Sequence, residues 1–168
     1  MPGFTISNDK LNYDKFLKKY RWKVSVFGNI DIDTFYVKSV KFPSLKIGVE
    51  DMKGISISYP LAKEAKFDDI NIVFYETADT LKKLLEWKQS VYDFDRGVIN
   101  IASKYMSKIE IVQIVDPLIF AEQSEVYKAV IFNAFPKSLE FDNLDYASGG
   151  IKLITMAISY SHAKYEYK

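Results

Sequence analysis

The sequence of 168 residues contains no cysteine and a single histidine. Without cysteine the chain has no disulfide framework and no thiolate ligands for zinc or iron–sulfur clusters. A zinc site built on His162 would need several carboxylates, and no HExxH or paired-histidine spacing is present. We therefore expect no metal and no cofactor, and a fold held together by packing.

Long apolar runs and an excess of charge are missing as well. The apolar stretches are far shorter than the roughly 20 residues needed to cross a bilayer, and residues 1–10 lack the regions of a signal peptide. The net charge is +1, from 23 basic and 22 acidic side chains. These features predict a soluble chain that starts near Met1, with no membrane partner and no overall attraction to nucleic acid.

Aromatic residues are plentiful, with 12 Tyr, 12 Phe and 2 Trp making up 15% of the chain. This is more than one small core usually needs, so we expect part of this surface to lie between subunits. The length fits one domain that spans residues 1–168. Within it, residues 1–19 are rich in lysine and are predicted to form an N-terminal arm with a short helical turn.

Apolar and polar residues alternate with a period of two along most of the chain, which predicts strands. Trp22, Val24 and Val26 are one example; their strand ends at the turn Gly28-Asn29 and is expected to pair with the next strand as a hairpin. The predicted strands cover residues 20–27, 32–41, 55–59, 67–75, 109–115, 125–132 and 151–162. The fold class is therefore mainly β, an antiparallel two-sheet sandwich or barrel.

One amphipathic helix is predicted to flank the sheets, from the capping residue Thr77 to Tyr92. Asp79 favours the positive N-terminal end of this helix and is spaced to pair with Lys83. The residues expected to anchor the helix on the sheet are Leu81, Leu84, Leu85 and Trp87.

The sequence contains little that indicates a catalytic site. Neighbouring strand positions point to opposite faces, so Ser161 and His162 are not expected to share a hydrogen bond. The same argument separates the carboxylates of Asp68 and Asp69. We expect a structural protein and not an enzyme, with sheet edges that join those of other copies.

Segments spread along the chain resemble the tail tube proteins of contractile-tailed bacteriophages. These are Phe42-Pro43-Ser44-Leu45 through Ile57, Lys66-Phe67-Asp68-Asp69, Glu86-Trp87-Lys88, Phe135-Pro136, Leu144-Asp145-Tyr146, and Tyr165-Glu166. The similarity covers about residues 20–166. It implies a ring-forming tail-tube fold, like that of the ring protein of type VI secretion, in which hexameric rings stack into a hollow tube in the virion tail.

The resemblance also implies a set of partners. These are other copies of the chain, the contractile sheath, the baseplate and tape-measure proteins, and DNA that passes through the lumen without specific binding. A near-neutral chain agrees with such a passage, because each lysine or arginine along the path would strengthen phosphate binding.

By position, the resemblance implies that residues 32–41, 55–59, 109–115 and 125–132 line the channel. Ser56 and Ser58 are the candidate lumen-facing side chains, because they alternate with larger apolar residues. The segment from Pro43 to Lys53 carries Gly48 and mixed charge and is predicted to be a long exposed loop. The resemblance implies that this loop reaches the next ring. Its candidate stacking residues are Pro43, Ser44, Gly48, Glu50, Asp51 and Lys53.

Several alternatives stay open on the sequence. The same fold builds tube initiators on baseplates, the tubes of phage-derived bacteriocins and injection particles, and the rings of type VI secretion. A monomeric β-barrel that binds an apolar ligand among its Tyr and Phe side chains is an alternative of another class. A hydrolase that uses Asp68, Asp69 or His162 is a third.

Overall fold

The computed structural model describes residues 22–27, 32, 36–53, 57–114, 125–144 and 149–167. The predicted arm, the turn at Gly28-Asn29 and Ser56 lie outside these residues. The strands are β1 (Trp22–Phe27), β2 (Val37–Val40), β3 (Leu45–Lys53), β4 (Ser58–Phe67), β5 (Ile70–Tyr75), β6 (Tyr92–Asp93), β7 (Val98–Ile99), β8 (Ser107–Ile114), β9 (Glu125–Phe141), β10 (Leu153–Ser159) and β11 (His162–Tyr167). The helices are α1 (Ala78–Val91) and α2 (Ala102–Tyr105).

The strand β9 is 17 residues long, and its two halves pair in two antiparallel sheets that it joins into one seven-stranded path. Its first half pairs with β8 and β11, and β1 pairs with the outer side of β8. We call these strands sheet I. Its second half pairs with β10, which continues to β5 and β2, and these strands form sheet II. The observed fold is therefore mainly β and antiparallel, as the alternation predicts.

The two sheets bury alternate residues of their strands in one common core. Ile109 and Ile111 of β8 and Ile131 of β9 come from sheet I. Sheet II contributes every second residue of β5 and β10, namely Ile70, Ile72, Phe74, Ile154, Met156 and Ile158. Because successive side chains of a strand point to opposite faces, this pattern leaves one face of each sheet outside the core.

The helix α1 begins and ends where the sequence predicts. The Thr77 hydroxyl accepts a hydrogen bond from the Thr80 backbone N–H at 3.1 Å, which caps the helix. Leu84 and Trp87 are buried, and Leu81 packs against the core at partial exposure. Leu85 is exposed, so its predicted role as an anchor is wrong. It follows Leu84 by about 100° around the helix and so turns away from the sheet.

The helix also protects part of β9. Between β10 and β9 the register shifts, so that Lys137 has no partner residue and Pro136 pairs with Ile158. The Lys88 ammonium donates to the carbonyl oxygens of Pro136 at 3.3 Å and Lys137 at 2.6 Å. Proline tolerates a bulge because it has no N–H to leave unpaired there, and the helix covers this edge.

The structure corrects three predicted strand arrangements. β1 pairs with β8 and β2 pairs with β5, so the predicted hairpin between the first two strands is wrong. The strand predicted for residues 151–162 is two strands, because the chain bends at Ser161 and β11 crosses to sheet I. The irregular segment predicted between residues 93 and 108 contains β7 and α2.

Candidate functional site

The strands β3 and β4 form a hairpin that extends away from the core. They pair antiparallel from Leu45 with Phe67 to Lys53 with Ser58. All residues of β3, and all of β4 except Phe67, are exposed. The predicted loop from Pro43 to Lys53 is therefore wrong in its secondary structure, since Gly48, Glu50, Asp51 and Lys53 lie in β3. We call the end near Leu45 and Phe67 the base, and the end near Lys53 and Ser58 the tip.

A bulge near the middle keeps two distinct faces on this hairpin. Ile47 pairs with Ala65 and Val49 pairs with Ala62, so Gly48 lies opposite both Lys63 and Glu64. The first face carries Leu45, Ile47, Val49, Ala62, Ala65 and Phe67 toward the base, and Asp51, Lys53, Ser58 and Pro60 toward the tip. The second face carries Lys46, Lys66, Lys63 and Glu64 toward the base, the pair of Glu50 with Leu61 just beyond the bulge, and Met52 and Tyr59 toward the tip.

The chain that leads into the hairpin is held by contacts to sheet I. Pro43 is buried, and its carbonyl oxygen accepts a hydrogen bond of 2.9 Å from the Tyr165 hydroxyl. The Phe42 ring lies 5.3 Å from the Tyr127 ring, which in turn stacks on Tyr165. Ser44 is half-buried and donates to the Asp68 carboxylate at 3.3 Å. Pro43 and Ser44 thus fix the base of the hairpin.

Two ion pairs flank this base. The Lys46 ammonium lies 2.8 Å from Oδ2 of Asp68, and its hydrogen bond lowers the pKa of that carboxyl despite partial desolvation. Lys137 contacts Oδ2 of Asp69 at 2.6 Å and lowers the pKa of Asp69 in the same way. Both carboxylates are therefore ionised at neutral pH, and each has its own cation. Asp68 and Asp69 lie between β4 and β5, so their separation comes from these different cations and not from the strand alternation that the sequence argument assumed.

A cleft of about 530 Å³ opens beside these pairs. Its lining residues are mostly charged or hydroxyl-bearing: Ala65, Lys66, Phe67, Asp68, Asp69, Lys137, Ser159, Tyr160 and Ser161. Burial raises the pKa of Tyr160 to about 12, so its hydroxyl stays protonated. This lining is unlike the apolar pocket that a barrel for a hydrophobic ligand requires.

Ser161 and His162 do share a hydrogen bond, contrary to the prediction. Ser161 sits at the bend before β11, where strand alternation does not apply, and its hydroxyl lies 2.8 Å from Nδ1 of His162. The same hydroxyl contacts the Asn133 amide and the Phe132 carbonyl, and the imidazole stacks on the Phe132 ring. Among the residues that the structure describes, no carboxylate orients this imidazole, so the pair lacks the third group of a triad.

The predicted channel strands lie in three different places. Residues 37–40 belong to sheet II, residues 58 and 59 to the hairpin, and residues 109–114 and 125–132 to sheet I. Ser58 and Tyr59 do lie on opposite faces of the hairpin, and Ser58 is exposed. The small polar face expected around Ser58 is limited to the tip, because the same face becomes apolar toward the base.

The face of sheet I opposite to Ile109 and Ile111 combines charged residues with the buried Val112 and Val130. Glu110 lies between the ammonium groups of Lys108 at 2.7 Å and Lys128 at 2.8 Å. Burial alone would raise the pKa of Glu110, but the two cations outweigh it and lower the pKa. The described part of the chain shows no cluster of three or more metal-ligating residues. It also contains no helix with the length and apolarity to span a bilayer.

Sequence comparison finds no matching protein-family model and no similar curated protein. Comparison of the fold does find similar solved structures. A chain in the PVC sheath–tube complex of an extracellular contractile injection system has a TM-score of 0.73 and 18% identity, over 98% of this chain and 100% of that one. A chain in the tube-terminating cap of the anti-feeding prophage has a TM-score of 0.72 and 14% identity, over 98% and 99%.

A third similar chain lies in the PVC sheath/tube terminator, with a TM-score of 0.70 and 16% identity over 90% of this chain and 96% of that one. Two of these three structures come from an extracellular contractile injection system and one from the anti-feeding prophage. The architecture described above is therefore the tail-tube fold that the sequence resemblance implies. The likeness holds along nearly the whole chain.

Proposed function

We propose that the protein is the structural protomer of a tail tube, with no catalytic activity. In this proposal copies form hexameric rings, and the rings stack into a hollow tube inside a contractile sheath. The observation that carries the proposal is the exposed hairpin of β3 and β4 on a body with the tail-tube fold. Its similar chains are structural tube proteins, which supports a role without catalysis.

The hairpin favours assembly, because a ribbon of two strands with exposed apolar side chains is not stable by itself. A two-stranded ribbon is marginally stable in water unless a third strand joins it or another element packs on its apolar face. This ribbon exposes large apolar side chains, including Ile47, Val49, Met52 and Tyr59. Exposed apolar patches of this kind mark interaction sites, and other copies of the chain are the partners that a tube protomer offers.

Under this proposal the hairpin takes the role that the resemblance gives to the segment from Pro43 to Lys53. In this proposal β3 reaches the neighbouring ring and contains the candidate stacking residues Gly48, Glu50, Asp51 and Lys53. Pro43 and Ser44 hold the base of the hairpin. Ser56 and Ser58 remain the candidate lumen-facing residues. The polar tip of the first face would then border the channel.

Sheath, baseplate and tape-measure proteins complete the proposed set of partners, and the protein would reside in the tail of the particle. The net charge of +1 supports a lumen that lets DNA pass without gripping it. A second candidate is the tube of an injection particle that carries no genome. The PVC and anti-feeding prophage particles among the similar structures favour this candidate.

Negative-stain electron microscopy of the purified chain at high concentration tests the proposal. We expect rings or tubes, on their own or after addition of the particle's own sheath or baseplate proteins. A single chain that stays monomeric under all these conditions would contradict the proposal. Cargo is tested separately, by nuclease protection of DNA inside purified particles.

A further inference from the structure

The face of sheet I opposite to Ile109 and Ile111, which we call its outer face, carries more positive than negative side chains. Strand pairing places six charged residues there: Lys23 of β1, Lys108 and Glu110 of β8, Lys128 of β9, and Lys164 and Glu166 of β11. Among the side chains described on this face, lysines thus outnumber carboxylates two to one. Because the net charge of the whole chain is only +1, positive charge is concentrated on this face.

One carboxylate holds two of these lysines. Oε1 of Glu110 lies 2.7 Å from the Lys108 ammonium, and Oε2 lies 2.8 Å from the Lys128 ammonium. The Glu110 side chain is 13% exposed, and the neighbouring Val112 and Val130 on the same face are buried. Ion pairs with little water around them are stronger than fully exposed pairs. Glu110 therefore restrains both ammonium groups and cancels one of their two charges.

We infer that Glu110 is a positioning residue that keeps the outer face of sheet I from holding DNA. With Glu110 in place, Lys108 and Lys128 bind its carboxylate instead of phosphate groups. Without it, both lysines become available beside the exposed Lys23 and Lys164. This inference rests on the proposed function, in which the tube conducts DNA past β8 and β9. The carboxylate then allows DNA to touch this face and to leave it again.

The dimensions of the outer face fit a DNA duplex. Neighbouring strands lie about 4.8 Å apart, so three such steps separate Lys23 on β1 from Lys164 on β11 by about 14 Å. Along β8, alternate residues lie about 7 Å apart on this face. Duplex DNA carries one negative charge per about 1.7 Å of its axis, so each lysine of such a surface can meet a phosphate. DNA is therefore the occupant that this charge pattern matches.

Replacing Glu110 tests the inference on the single chain, below the concentration at which it assembles. Glu110→Gln removes the charge but keeps the shape, and frees two lysines. Each added phosphate contact steepens the dependence of log K on log salt by about 0.9, so we expect a slope steeper by about 2. At about 50 mM salt, binding of a fluorescent 20-base-pair duplex should tighten roughly tenfold. Fluorescence anisotropy between about 50 and 200 mM salt measures both quantities.

Glu166→Gln is the matched control, since it removes the same charge from the same face. Glu166 is exposed and lies opposite Lys128 in the pairing, but the Lys128 ammonium contacts Glu110. We expect its salt slope to change by less than about 1, because it frees no lysine from an ion pair. Adding Lys128→Gln to Glu110→Gln should return the slope about halfway to that of the unaltered chain.

Circular dichroism at the assay temperature should match that of the unaltered chain. If Glu110→Gln unfolds, Glu110→Met takes its place with the same expected outcome. The inference is overturned if the two glutamine variants gain equally, if neither gains, or if Glu110→Gln gains affinity for poly-glutamate and not for DNA. If the unaltered chain forms no rings, the proposed function fails, while the DNA titration still decides the role of Glu110.

Discussion

The sheets and the hairpin contain the same types of apolar residue, but these residues are buried in the sheets and exposed in the hairpin. Ile109 and Ile111 alternate with Glu110 in β8 and are 0% exposed. Ile47 and Val49 alternate in the same way in β3 and are 58% and 65% exposed. Alternation therefore specifies a strand with an apolar face, but burial requires a second layer. Sheets I and II supply that layer to each other, and in our proposal sister copies supply it to the hairpin.

The comparison implies that stability resides in the sheets and the helix, and assembly in the hairpin. None of the buried core residues comes from β3 or β4. Changes in the body should therefore alter unfolding, while changes in the hairpin should alter assembly alone. The predictions below concern the dissociated chain and run from the largest expected effect to the smallest.

Replacing Trp87 should lower the free energy of unfolding more than any other change considered below. Its side chain is buried against the core, and its indole N–H donates to the Tyr105 carbonyl at 2.9 Å. We expect Trp87→Ala to lower the free energy of unfolding by about 3 to 5 kcal/mol, the usual cost of deleting a buried aromatic side chain. Urea denaturation measures this change. Leu85→Ala on the exposed side of α1 is the control, and equal losses for the two variants would contradict the observed orientation of the helix.

The helix was the part of the fold most open to prediction from sequence. Its cap at Thr77 and its charge pair of Asp79 with Lys83 at 3.0 Å depend on contacts within about one turn. The burial of Leu84 follows from the helical period of the apolar residues. Only Leu85 was misplaced, because a hydrophobic residue beside the buried stripe looks the same in sequence as one within it.

Strand pairing was less predictable, because it joins distant segments. β1 pairs with β8, which lies more than 80 residues along the chain. The residues of neither strand indicate which strand it pairs with. The strand predicted for residues 125–132 continues to Phe141 as β9, because a bulge and Lys88 accommodate Pro136 within it. Both errors came from local rules that tertiary contacts override.

The candidate site was missed for a related reason. Leu45, Ile47 and Val49 do alternate with Lys46 and Glu50, which was the available signal. Gly48 and the mixed charge made the segment look like a loop, and a strand exposed on both faces provides no buried stripe to correct that impression. The exposed position of the segment was nevertheless anticipated.

Removing the helix cap at Thr77 should cause the next largest loss in the free energy of unfolding. The Thr77 hydroxyl accepts from the Thr80 N–H and also donates to the hydroxyl of Thr80, which is buried. We expect Thr77→Ala to lower the free energy of unfolding by about 1 kcal/mol, as for other lost caps. Thr77→Ser keeps the hydroxyl and should lose much less. A serine variant as unstable as the alanine variant would show that the methyl group, and not the cap, matters.

Acid should weaken sheet I through Glu110. Its pKa is lowered in the folded chain, so the unfolded chain binds more protons and stability rises with pH in the acid range. The contribution is fully present above the unfolded pKa of about 4.3 and is lost as pH falls through the lower folded value. We expect thermal midpoints, followed from pH 7 downward, to fall less steeply below about pH 4 in Glu110→Gln. Parallel curves for the two chains would contradict this role.

The smallest effect is expected in the hairpin itself. Val49 lies on its first face and is largely exposed, so Val49→Ala removes little buried area from the single chain. We expect the free energy of unfolding to change by no more than about 0.5 kcal/mol, as at other surface positions. A loss above about 1 kcal/mol, measured by urea denaturation, would mean that the body already covers this face.

Hydrogen exchange of backbone amides tests the central claim most directly, by comparing the dissociated chain with the assembled one. Residues 45–53 and 58–67 should exchange quickly in the single chain, because an uncovered ribbon opens readily, and slowly after assembly. Residues 109–111 in the core of sheet I should exchange slowly in both states. Hairpin amides that are already protected in the single chain, or that still exchange quickly in an assembly, would contradict the account.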